Sequence, residues 1–184
     1  MSYLATINRY IQEIDSCMGS LNRHTIHATI DLFKDLRDRQ VGSLFFFANG
    51  GSVGIAEHCS IDYFKIGGFR TEGTLSPAFL TCLSNDFGYS VTIEKYVDRM
   101  VREADVCVFI SSSGESPNII NGVMAAKGKG CKTIGLSGFN ERNRLSELAD
   151  LSFWVDSDKY NIIENAHQIL LLYILDVIVD GALT

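Results

Sequence analysis

The stretch VFISSSGESPN, residues 108–118, runs an apolar segment straight into Ser and Gly and then into a helix start. Pro117 stands near the first helical position, where its missing N–H costs nothing. A second stretch, FFFANGGSVG at residues 45–54, repeats the plan with Asn49, Gly50, Gly51 and Ser52 at the switch. Glycine tolerates positive φ and lets the backbone approach a ligand. The helix that follows offers unpaired N–H groups and the positive end of its dipole. Either loop alone reads equally well as a turn with an N-cap. Two in one chain point to a crevice that cradles a phosphate without a lysine. Neither loop carries Gly-Lys-Ser/Thr or G-x-G-x-x-G, so no nucleotide cofactor is expected.

Working outward, apolar runs of strand length lie at 43–48, 77–83, 106–111, 132–138 and 151–156. Helix-length stretches with 3.6-residue spacing lie at 52–66, 90–103, 116–129 and 142–148. Strands that are apolar throughout and joined by helices predict an α/β fold, a single-domain doubly wound five-stranded parallel sheet covered on both faces. The Gly-rich switches then sit at strand C-termini, where open α/β sheets hold their ligands. Leu4, Ile7, Ile11, Ile14 and Met18, followed by Ile26, Ile30 and Phe33, predict two amphipathic helices before the sheet. The terminal NIIENAHQILLLYILDVIVD is apolar nearly all round and must be surrounded, so subunit packing in a homo-oligomer is expected.

Composition sets the limits. With 184 residues, 46% of them hydrophobic, the chain can bury one substantial core. A net charge of −6 argues against a nucleic-acid surface, which needs an excess of Lys and Arg. Apolar runs such as ILLLYIL stop short of the roughly 20 residues of a membrane span, and MSYLATINRY has no signal-peptide pattern. The five cysteines show no CxxC pairing and read as reduced core thiols of a cytoplasmic protein.

ANGGSVGIAEH together with ISSSGESPNIINGVMAAKGKGCKTIGLSG resembles the sugar isomerase (SIS) domain family. Within it the chain is similar to the phosphoheptose isomerases, which convert sedoheptulose 7-phosphate to a heptose 7-phosphate. LSNDFGYSVTIEKYV (83–97) and RLSELADLSFWVDSD (144–158) fit as well. The resemblance implies a flavodoxin-like strand order, a homotetramer with sites between subunits, an N-terminal helical segment over 1–40 for oligomer packing, and a sugar-phosphate-binding domain over 41–184. It implies phosphate binding by Ser52, Ser111, Ser113 and Ser116 with Asn49 and Gly50, and further substrate contacts from Asn85 and Asp86. Many relatives hold zinc through a His and a Glu four residues apart and through a Gln and a His on the last helix. The matching positions here are His58, Asp62, Glu164 and Leu172, which leaves His58, Asp62 and Glu164 as metal ligands.

Aldose–ketose isomerisation needs one group to carry a proton between adjacent carbons and another to serve the oxygens. The carboxylates Asp62 and Glu164 are the catalytic candidates, with His58 as the nearby imidazole; Leu172 can move no proton. The alternatives are a non-catalytic phosphosugar-binding module and an interaction protein like the replication regulator of this family. Glu164 and His167, three residues apart, could instead pair with each other. His24 and His27 read as surface residues and Trp154 as core.

Overall fold

The structure is a computed structural model that describes residues 3–181; the outermost residues of the two expected segments, 1–2 and 182–184, lie outside it. Five strands form one parallel sheet: β1 Leu44–Ala48, β2 Thr71–Glu72, β3 Val106–Ile110, β4 Lys132–Ser137 and β5 Leu151–Trp154. Their spatial order is β2-β1-β3-β4-β5, the flavodoxin-like order, with the reversal between β1 and β3. Among the described residues eight α-helices accompany the sheet: α1 Tyr3–Ser20, α2 Arg23–Arg39, α3 Gly51–Lys65, α4 Pro77–Phe87, α5 Thr92–Met100, α6 Pro117–Gly128, α7 Arg144–Leu148 and α8 Tyr160–Asp180.

Period-two alternation explains why β1 and β3 are apolar at every position. Leu44, Phe46 and Ala48 with Val106, Val108 and Ile110 face a core closed by α2, α3 and α8. Phe45, Phe47, Cys107 and Phe109 face a second core closed by α5, α6 and α7. The Phe47 and Phe109 rings stack across that second face at 5.2 Å.

The run at 77–83 is not a strand. Ser76 caps a helix by accepting the Phe79 N–H, and Pro77 takes the first helical position, so this segment is α4. The second strand is instead the two-residue Thr71–Glu72, too short to announce itself by alternation. Trp154 lies on the edge strand, half-buried, and donates its indole N–H to the Phe139 carbonyl rather than filling the core.

The apolar C-terminal helix is covered largely from within its own chain. Ile162, Ile163, Ala166, Leu170, Leu171, Ile174, Leu175 and Ile178 are buried. It meets the length and apolarity of a membrane-crossing segment, but half of that window is packed inside the fold. Helix α2 sends Phe33 into the same core, edge-on to Tyr63. Helix α1 packs through Cys17, Ile14 and Met18, while Leu4 at 75% and Ile11 at 56% exposure project outward. Four of the five cysteines are buried, Cys82 is exposed, and all are free; His24 and His27 are exposed.

Candidate active site

At the end of β1 the chain turns through Gly50, whose φ of +55° suits glycine, and enters α3. Asn49, between strand and turn, meets Asn118 in the first turn of α6. Asn49 Nδ2 donates to Asn118 Oδ1 at 2.9 Å, and Asn118 Nδ2 donates back to Asn49 Oδ1 at 2.8 Å. Tyr89 Oη adds a third bond to Asn49 Oδ1 at 2.8 Å. The loops after β1 and β3 therefore close on each other at the point where the strand order reverses.

The loop after β3 turns at Gly114, φ +67°, where a Cβ would run into the Asn143 side chain. Ser111 Oγ donates to Ser116 Oγ at 3.2 Å, and Ser113 Oγ accepts the Glu115 N–H at 3.2 Å. Ser116 stands at the N-cap of α6 without a side-chain capping bond, so its hydroxyl and the first-turn N–H groups remain for a ligand. Glu115, the loop's one acidic side chain, accepts the Arg144 backbone N–H at 2.9 Å. Ser111 and Ser116 thus meet through their hydroxyls, while Ser113, in the same loop, is bonded to the Glu115 backbone.

Glu164 and Ser52 meet at the start of α3, where Ser52 Oγ donates to Glu164 Oε1 at 3.1 Å. The glycine at 51 makes this approach feasible, since a Cβ there would stand 2.8 Å from Glu164 Oε2. The Ser52 hydroxyl, expected on phosphate, is engaged by a carboxylate instead. Two turns along α3, His58 Nε2 lies 3.0 Å from Asp62 Oδ2, as spacing i and i+4 requires. His58 Nδ1 lies 2.8 Å from Gln168 Nε2 on α8. His167 does not pair with Glu164; it is fully buried with Nε2 on the Ser137 carbonyl at 3.1 Å. Burial lowers its pKa from 6.5 to about 4, against the upward pull of that carbonyl.

The expected metal set does not assemble. His58 and Asp62 come together, but Glu164 is drawn to Ser52, and Leu172 packs against the apolar core. No group of three His, Cys, Asp or Glu side chains converges among the described residues. Cys59, next to His58, supplies no thiolate, because burial, with the Asp62 charge, pushes its thiol up to about 12. Zinc needs at least three protein ligands in a catalytic site, and the residues present do not fit it.

Asn85 and Asp86 are exposed near the end of α4 and bond to each other at 3.0 Å. Beside Asn49 and Gly50 opens a crevice of about 600 Å³, bounded by Gly73, Thr74, Leu80, Tyr89 and Asn118. Its one charged lining residue is Glu57, whose Oε1 accepts both the Thr74 N–H at 3.2 Å and the Thr74 hydroxyl at 2.9 Å. Sequence reasoning missed Glu57, Tyr89, Asn118 and Gln168. Asn118 was within reach, standing one residue after the Pro117 that marks the helix start. Gln168 was signalled only by its four-residue spacing from Glu164, and nothing in the sequence marks Glu57 or Tyr89.

A doubly wound sheet with paired Ser/Gly loops at its switch point defines a sugar-phosphate-binding protein of the SIS type, and the SIS domain family model matches residues 2–138. The chain belongs to the SIS domain family, in its phosphoheptose isomerase branch. It is 31% identical over 168 residues to the phosphoheptose isomerase of a Nitratiruptor species, covering 87% of each chain. The solved phosphoheptose isomerase of Francisella tularensis superposes with a TM-score of 0.86 at 25% identity, over 98% of this chain and all of the other. That of Neisseria gonorrhoeae shares the fold, with a TM-score of 0.84 at 24% identity over 95% and 96% of the two chains.

Proposed function

We propose that this protein is a sedoheptulose 7-phosphate isomerase serving heptose and surface-polysaccharide precursor synthesis. The observation that carries the reading is the match to a phosphoheptose isomerase over 87% of both chains, in a chain whose two Ser/Gly loops are bonded through Asn49 and Asn118. The alternatives, a non-catalytic module or a replication regulator, are not favoured by these relatives.

In this reading Ser111, Ser113, Ser116 and the α6 N-terminus hold the phosphate, with Asn49 and Gly50 completing the wall. Ser52 acts beside them once Glu164 releases its hydroxyl. The carbon end of the substrate then lies along α3 and α8, where Asp62, His58 and Glu164 are the groups able to move protons. A carboxylate removes a proton from C1 and returns one to C2, while the O1 proton is exchanged for one on O2 through the enediol. No nucleotide takes part, and no step is assigned to zinc.

The outward apolar strip of α1, Leu4, Ile7 and Ile11, and the exposed Ile169 and Tyr173 on α8 support a homotetramer in which residues 1–40 serve packing. Asn85 and Asp86, exposed in one chain, would then meet substrate bound to a neighbouring subunit. The free thiols and acidic charge support a cytoplasmic protein that binds neither nucleic acid nor membrane. Purified protein should turn over sedoheptulose 7-phosphate and sediment as a tetramer. Binding without turnover would remove the enzymatic reading, and a monomer would remove the shared site.

A further inference from the structure

Glu164, Gln168 and Leu172 recur at four-residue spacing and form one strip along α8. Glu164 meets Ser52 at the start of α3, and Gln168 meets His58 further along the same helix. Leu172 is partly buried against the apolar core. Of the strip's polar side chains, only the amide of Gln168 reaches the His58 ring.

We propose that Gln168 is the positioning residue of this site, fixing the His58 imidazole against Asp62, and that the pair works without bound zinc. The proposal rests on the isomerase reading above and names how its proton-carrying groups are held. His58 Nε2 lies 3.0 Å from Asp62 Oδ2, so the ring meets a carboxylate oxygen on that side. On the other side Nδ1 lies 2.8 Å from the Gln168 amide, so the ring is engaged at both nitrogens. Glu164, the third expected ligand, is turned to Ser52, and Leu172 offers no donor at all.

Anchoring matters because the His58 side chain is 47% exposed and lies on a helix surface. A ring held from one side only can rotate about its side-chain torsions, whereas bonds at both nitrogens leave a single orientation. Misplacement of a reacting group by about 1 Å can cost on the order of 100-fold in rate.

The test uses the full-length protein, Gln168→Ala and the near-isosteric Gln168→Met. Wild-type protein should purify with zinc far below one per chain and keep its turnover of sedoheptulose 7-phosphate in a chelator. Both variants should lose about 10- to 100-fold in kcat with KM little changed, since the amide touches the imidazole and not the substrate. ¹⁵N spectra of the His58 ring should show one tautomer in the wild type and a mixture in Gln168→Met. Stoichiometric zinc whose removal abolishes turnover would overturn the metal-free arrangement. A Gln168→Met variant with wild-type kcat and an unchanged ring spectrum would overturn the positioning role. If the wild type turns nothing over, the isomerase reading fails, and the ring spectra still decide whether Gln168 holds His58.

Discussion

Asn49 and Asn118 exchange two side-chain hydrogen bonds, at 2.9 and 2.8 Å, and so lock the loop after β1 to the helix after β3. Asn118 is 1% exposed, so its amide has no water to fall back on. Replacing Asn118 by Ala leaves the Asn49 amide with only Tyr89 and should cost about 1–3 kcal/mol. Urea unfolding should show the loss, and calorimetry should show weaker sugar-phosphate binding. An unchanged unfolding midpoint would mean that water replaces the pair at no cost.

The cradle should lose affinity when its hydroxyls go. Ser113→Ala combined with Ser116→Ala removes two donors to an ionised group, each contributing about 1.5–3 kcal/mol when engaged. Titration with a sugar phosphate should show more than a tenfold loss with the fold intact. Equal affinity would reduce both serines to turn residues.

Gly114 tolerates no side chain. Its φ of +67° disfavours a Cβ, and a Cβ would also strike the Asn143 amide, which caps α7 through the Ser146 N–H. Gly114→Ala should therefore weaken both phosphate binding and stability, whereas Gly54→Ala, where nothing lies within 4 Å of the added carbon, should leave stability close to wild type. Equal melting temperatures for the two variants would contradict this account of the loop.

His167 should make stability depend on pH. Burial lowers its pKa from 6.5 to about 4, so the unfolded chain takes up a proton before the folded one does. The contribution is complete above pH 6.5 and is lost as pH falls toward 4, to an extent on the order of 3 kcal/mol. Unfolding free energies of wild type and His167→Gln, measured between pH 7 and 4.5, should converge as pH falls. Parallel curves would assign the slope to carboxylates.

The clamp between Glu57 and Thr74 holds the segment after β2 against α3. Glu57→Ala should loosen that wall and raise hydrogen exchange at Thr74, Leu75 and Ser76 while leaving the cradle's phosphate affinity close to wild type. Unaltered exchange there would show that α4 holds the wall by itself.

Four of the five strands, their two-faced burial and the two Ser/Gly turns were legible in the sequence, because each is written in local terms. Val106 to Ile110 is apolar at every position, Gly50 and Gly114 mark turns, and Pro117 marks a helix start. Sequence reasoning misread 77–83 because a short apolar run is ambiguous between strand and helix, and the Ser76-Pro77 start signal outweighs it. Which polar groups meet could be read only from how the elements pack. Ser52 and Glu164 lie 112 positions apart, and His58 and Gln168 lie 110 apart. Their pairing depends on how α8 lies against α3, which follows from the burial of Ile163, Leu170 and Ile174 and not from the polar residues themselves. Spacing placed His58 beside Asp62 because both stand on one helix. It could not bring Glu164 to them, because on α8 each four-residue step reaches a different turn of α3.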